Sequence, residues 1–307
     1  MMSIEEFKER LWVMACDFSV SVYEIENFIR YFLKNNRFVV VGWKYVNSYC
    51  RASINDGNIL FTNVGRCSFN PIADNIVLQR CNYEKQQVFY AAIPMDSEVA
   101  CSSTAQAEVA FEKLVKRHDI KWHYLTVSKW ESVRPLNLFV FPLSERSLQQ
   151  NRDFQKGFDD WNKSINQLVP DKDVAETYRK LLQYFCDIFC KDDECKENWY
   201  RISSAFYNCL MRFSREDNLD IDGIIYPSCN TSSGGTNIVL NKELYTDKII
   251  KCVYVQTTLF LRDLKDPQKV TFIPASDGVI PDLSGNFKFN QILRVNSDGS
   301  LYTERLP

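Results

Sequence analysis

The spacing of apolar positions changes repeatedly along this chain, and each change marks a piece of architecture. From about Ser3 to Lys34 they recur at helical intervals, in Phe7, Leu11 and Met14 and again in Ile25, Phe28, Ile29 and Phe32, which predicts a packed helical lead-in. Val39 to Tyr49 is β-rich, with Val39, Val40, Val41, Trp43 and Tyr45, and delivers Arg51 near a strand end. Asn55-Asp56-Gly57-Asn58 reads as a turn. The apolar run Val88 to Ile93 predicts a strand stopped by Pro94. Thr104 then opens a helix reaching about His118, with Thr104 as its N-cap and Glu108 on its first turns. Two more strands, Trp122 to Trp130 and Leu136 to Phe141, lie on either side of Pro135.

A different texture follows. From Ser144 to about Asn218 the chain is charged and helical, in three segments near Glu145 to Leu168, Asp173 to Cys190 and Glu197 to Arg215. Strand patterns return at Asp222 to Ser228, Asn237 to Leu240, Lys251 to Leu261 and Val270 to Ile273. Ser232-Ser233-Gly234-Gly235 is a turn, and the tail from Pro281 is polar and rich in asparagine. Strands before and after a helical block predict an α+β fold with a helical insertion, not an alternating parallel sheet.

Composition narrows the functional classes. With 307 residues, 45% of them apolar, the chain can bury a core without staples. A formal net charge of −2 argues against a nucleic acid as the main partner. Eleven cysteines, odd in number and scattered through apolar patterns, do not form a disulfide framework, and reduced thiols in the cytoplasm are expected. No secretory leader is read at the N-terminus, and no apolar run reaches the roughly 18 to 20 residues that span a bilayer, so no membrane partner is expected.

The segment from Val77 to Lys113 holds the residues best placed for chemistry. It brings a guanidinium at Arg80, an amide at Asn82, a phenol at Tyr90 and a carboxylate at Glu108 into a strand, loop and helix in succession. Each has an ordinary explanation: a glutamate near a helix start favours that end of the dipole, an arginine near a strand end is commonly solvated or paired, and a tyrosine in an apolar strand is partly core. Their order is more specific than any one of them.

In that order the segment resembles the middle of a RES domain, the family named for an arginine, a glutamate and a serine. The Arg80-x-Asn82 element, the strand ending in Tyr90-Ala91-Ala92 and the Thr104-Ala105-x-x-Glu108 helix follow one another as in that family. Upstream, Tyr49-Cys50-Arg51-Ala52 is similar to the family's opening Arg-Ala element. Downstream, Asp222-Gly223-Ile224-Ile225-Tyr226-Pro227-Ser228 resembles its second strand, and Gly235-Thr236-Asn237 its Gly-x-Asn segment. The loop between Arg51 and Arg80 is longer than in minimal members, and the likeness covers about half of the chain.

The resemblance implies an ADP-ribosyltransferase-like β core and NAD as substrate rather than cofactor, cleaved at its nicotinamide N-glycosidic bond by hydrolysis, phosphorolysis or ADP-ribosyl transfer. Glu108 would stabilise the oxocarbenium-like transition state, with Arg51 and Ser228 as further catalytic groups. Arg51 and Arg80 suit a pyrophosphate, and Arg66 competes with Arg80 for that role. Tyr90, Asn82 and Asn237 are the remaining NAD-binding candidates. The resemblance also implies a toxin held by an antitoxin protein that docks over the NAD cleft. In these terms residues 1–45 are a helical lead-in, 46–143 the first part of the core, 144–218 a helical insertion and 219–307 the second part of the core with the tail.

Other chemistries fit less well. Cys186, Cys190, Cys195 and Cys209 lack the spacing and nearby histidine of a structural zinc site, and no metal is expected. His118 and His123 have no accompanying nucleophile motif. Neither a Gly-x-Gly-x-x-Gly nor a Walker sequence is present. The alternative from another class is a RES-like scaffold without turnover, whose helical insertion serves as a partner-binding surface.

Overall fold

The computed structural model describes residues 2–36, 42–45, 48–70, 72–94, 100–140, 148–149, 152–231, 234–263 and 265–307. The helical lead-in is two helices, α1 (Ile4–Cys16) and α2 (Val22–Asn35), not one. The break is local chemistry: the Asp17 carboxylate accepts from the amide and hydroxyl of Ser19 at 2.9 and 2.6 Å. Ser21 and Glu24 then cap each other's backbone and restart the helix.

The stretch expected as one strand from Val39 to Tyr49 holds β1 (Gly42–Tyr45) and the start of β2 (Ser48–Ile54), with residues 39–41 outside the described residues. Arg51 therefore lies within β2, not near its end. β3 (Val88–Ala92), β4 (Trp122–Ser132), β5 (Leu136–Val140), β6 (Gly223–Pro227), β7 (Thr236–Asn241), β8 (Ile250–Arg262) and β9 (Val270–Pro274) coincide with the predicted strands to within a few residues.

The helix that carries Glu108 differs from expectation. As α3 it spans Cys101–Ala110, so Glu108 is on its last turn and Thr104 is buried inside it, donating back to the Ala100 carbonyl at 3.3 Å. The end predicted near His118 instead holds a π turn at Phe111–Val115. The helical block is α4 (Arg152–Leu168), α5 (Lys172–Phe189) and α6 (Lys196–Glu216); residues 145–147 and 150–151 of the expected first helix lie outside the described residues. A one-turn α7 (Glu243–Thr246) precedes β8. The polar tail carries a hairpin that its asparagines conceal, β10 (Gln291–Val295) with β11 (Leu301–Arg305), anchored where Ile292 is buried with Tyr124 and Leu259.

Among the described residues, nine strands form one mixed sheet in the order β1-β5-β6-β7-β3-β2-β4-β8-β9, and of their pairings only β5 with β6 is parallel. Parallel neighbours need a crossover connection, and α4 to α6 supply it. The helical insertion is thus the link that sets β6 beside β5. One face of the sheet is covered by α1, α2, α5 and α6 through a shared core that includes Phe7, Phe32, Phe185, Phe189 and Phe206. Phe7 stacks on Phe32 at 3.9 Å between ring centroids, and Phe185 on Phe206 at 3.8 Å. Buried Arg201 of α6 ties the layer together by donating to the Ala15 and Asp17 carbonyls at the C-terminal end of α1, at 2.6 and 3.0 Å, and to the Val20 carbonyl in the turn before α2. The other face packs Tyr49, Phe89, Trp130 and Leu240 against Phe287 and Phe289. No described helix is long and apolar enough to cross a membrane.

Candidate functional site

Three side chains converge on one carboxylate. Ser228 follows β6, Asn230 lies in the short 3-10 turn at Cys229–Thr231, and Asn237 is on β7. The Ser228 hydroxyl donates to Glu108 Oε1 at 2.5 Å and Asn237 Nδ2 to the same oxygen at 2.7 Å, while Asn230 Nδ2 donates to Oε2 at 2.8 Å. Bonds on both oxygens fix the plane of the carboxylate as well as its place. Ser228 is fully buried and its hydroxyl is committed to Glu108, so it positions the carboxylate rather than facing a ligand.

The close approach behind this clamp depends on a glycine. A Cβ at Gly235 would collide with the side chains of Thr104 on α3 and Thr231. Without one, α3 lies against β7 and Glu108 reaches Asn237. The Gly-x-Asn spacing of the sequence is therefore a packing requirement followed, two residues on, by a hydrogen-bond donor.

Glu108 lines a cavity of about 780 Å3, within the range of small-molecule sites. It opens where the sheet parts. β2 and β3 pair at a single position, Cys50 with Ala92, and residues of both strands line the space between them. Arg51 fills part of this gap. Its guanidinium donates to the Tyr90 carbonyl and lies over the Phe89 ring, 5.4 Å from the centroid, while its Nε is buried without a partner. Burial pushes the guanidinium down to about 10, so Arg51 is a charged group held at a desolvation cost.

Arg80 enters from the helical face. It donates to the Phe189 carbonyl at the end of α5 at 2.7 Å and lies over the Tyr200 ring of α6 at 5.1 Å. Burial opposes its charge, but Cys229, Tyr200, Tyr226 and Glu108 around it raise its affinity for the proton overall. Among the described residues neither Arg51 nor Arg80 has a carboxylate partner. Arg66, the competing arginine, also lines the cavity but is exposed and paired with Asp56 at 2.5 Å.

Tyr90 and Asn82 occupy supporting places. The Tyr90 hydroxyl donates to Asn82 Oδ1 and accepts from the Cys81 amide, both at 2.9 Å. Asn82 in turn donates to the carbonyls of Val77 and Tyr83 at 2.9 and 2.8 Å. Together they fix the loop that aims Arg80, so the Tyr90 phenol expected to meet a ribose already has two protein partners. Sequence reasoning missed Asn230, which stands two residues after Ser228 with no spacing cue of its own. It missed Tyr200, Lys196 and Asp192 as well, which the helical block brings to the cavity wall. Only the tertiary fold sets them there.

The remaining candidates lie elsewhere. His123 Nε2 is 3.0 Å from the Asn55 carbonyl, His118 is exposed, and neither lines the cavity. Cys209 is buried and Cys195 exposed, and among the described residues no group of three or more metal-binding side chains could hold an ion. Compared with known proteins, the chain matches no protein-family model and no curated sequence, which leaves the geometry of Glu108 and the two arginines to carry the functional reading.

Proposed function

We propose that this protein cleaves NAD at the nicotinamide N-glycosidic bond, with an ADP-ribosyltransferase-like core built around the parting of β2 and β3. The observation that carries the reading is the juxtaposition, in one cavity, of a carboxylate fixed by three donors and two arginines without carboxylate partners. A desolvated guanidinium is costly to keep, and a doubly charged pyrophosphate is the kind of ligand that compensates for it. The fixed carboxylate suits a reacting centre that becomes positive.

In this reading the C1′–N bond breaks, its electron pair passes to the pyridinium nitrogen, and nicotinamide leaves neutral without needing a general acid. Glu108 faces the oxocarbenium-like ribose and lowers its energy. Ser228, Asn230 and Asn237 keep the carboxylate in place, so little reorganisation accompanies the step. Water, phosphate or a hydroxyl of a macromolecule then adds at C1′ and releases its proton. A toxin role with an antitoxin covering the cavity belongs to the same proposal, through the family resemblance.

The scaffold alternative has a weaker footing, because the helical block forms a wall of the cavity through Tyr200 and Lys196 and anchors Arg80. The test is purified protein with NAD, with and without phosphate, reading nicotinamide and the ribose product. Wild type should release nicotinamide and Glu108→Ala should lose about 100-fold or more. No release with any acceptor, and no rise in thermal stability on adding NAD, would reject the enzyme in favour of the scaffold.

A further inference from the structure

Among the described residues, buried tyrosine hydroxyls have protein partners, with one exception. Tyr49 bonds Ser132, Tyr124 the Leu293 carbonyl, Tyr178 the Asn36 carbonyl and Tyr207 Asn241. Tyr226 is only 3% exposed, yet among the described residues its hydroxyl has no hydrogen-bond partner. A phenol buried this deeply ordinarily finds one. The hydroxyl is not sealed in the interior either: Tyr226 lines the Glu108 cavity, and its oxygen is not fully enclosed by protein.

Its place is set by strand register. Tyr226 on β6 stands directly opposite Asn237 on β7, so the two side chains share the helical face of the sheet, with Cβ atoms about 5 Å apart. Asn237 holds Glu108. Ile225, the next residue back, points into the opposite core, whereas the Tyr226 ring is fixed edge-on against Phe189, whose carbonyl anchors Arg80. The phenol thus sits between the clamped carboxylate and an arginine, with its ring immobilised and its oxygen free. Burial, together with Cys81 and Glu108, pushes the phenol well above its ordinary range, which keeps the proton on the oxygen and makes it a donor.

We infer that the Tyr226 hydroxyl contacts the substrate, donating a hydrogen bond to the ribosyl group held beside Glu108, and that it makes the site selective for nucleotides with a ribose beyond the diphosphate. This rests on the NAD reading of the cavity. Asn237 fixes the carboxylate on one side of the reacting ribose, and Tyr226 completes the ribose's own hydrogen bonds next to it. The hydroxyl is unpaired in the free protein because its partner arrives with the ligand.

Two ligands separate this contact from general binding: ADP-ribose has the distal ribose and ADP lacks it. Calorimetric titration of wild type should show ADP-ribose bound more tightly than ADP. Tyr226→Phe, which keeps the ring against Phe189, should lose roughly 10-fold in ADP-ribose affinity and leave ADP unchanged. Unchanged ADP affinity certifies the fold of the variant. Equal loss for both ligands, or no loss for either, overturns the inference while leaving the NAD reading standing. Wild type binding neither ligand overturns both. A 3-fluorotyrosine at position 226 gives a second readout free of any folding defect: its 19F resonance should shift with ADP-ribose and not with ADP, and an unmoved resonance rejects the contact.

Discussion

Ser228→Ala removes one hydroxyl and leaves every other named group in place, so it isolates the value of holding Glu108 still. The lost bond is the 2.5 Å donation to Glu108 Oε1, a bond to a charged acceptor at a fully buried site. Hydrogen bonds to charged groups contribute about 1.5–3 kcal/mol, which corresponds to about a 10- to 150-fold loss if the orientation matters only in the transition state. Oε1 still accepts from Asn237 at 2.7 Å and Oε2 from Asn230 at 2.8 Å. The carboxylate is therefore loosened, not abandoned, and the variant should stay folded with a melting temperature within a few degrees of wild type. Steady-state nicotinamide release should show the loss in kcat with KM little changed, because Ser228 does not line the cavity. Asn237→Ala should lose kcat to a similar extent but change KM as well, because Asn237 lines the cavity, and the double variant should approach Glu108→Ala in kcat without passing it. A Ser228→Ala enzyme within about twofold of wild type in kcat, or one altered only in KM, would refute the clamp as the source of rate.

Three further outcomes follow from the same structure. Arg51→Met should stabilise the fold by roughly 1 kcal/mol or more, because it replaces a desolvated cation without a counter-charge, while weakening ADP binding; a variant that loses stability contradicts the account. The wild-type cost is present while Arg51 is charged and lifts as pH rises through about 10 towards its ordinary value, so the stability gap between the two proteins should narrow there. Gly235→Ala should lower the melting temperature and the turnover together by driving α3 from β7, and an unchanged melting temperature would show that the Thr104 contact gives way freely. In timed alkylation near neutral pH, Cys50, drawn down by its hydrogen bond from Cys101, should react before Cys67, which burial pushes up to about 12, and the reverse order in peptide mapping would refute this.

The sequence by itself determined the elements whose signal is local. Apolar runs, strand patterns and helical patterns located the strands from Val88 to Pro274 and the three helices of the block, since burial of one face imposes its period on the residues, while the hairpin in the polar tail escaped them. It also supplied Arg51, Arg80, Glu108 and Asn237, which the structure brings to one cavity, and Ser228, which it sets beneath Glu108. Local competition hid the rest. A capping box at Ser21 divided a helix that periodicity joined, and the packing of Thr104 against Gly235 overrode its preference for an N-cap. Tertiary structure alone decided that β5 and β6 are parallel, and hence that the helical block is a crossover rather than an appendage. It alone decided that β2 and β3 part to admit a cavity, and that Tyr200 and Phe189 reach Arg80 from over a hundred residues away. Contacts between residues so far apart in the chain leave no period or spacing in the sequence, because they are fixed by how whole layers pack and not by what their neighbours in the chain prefer.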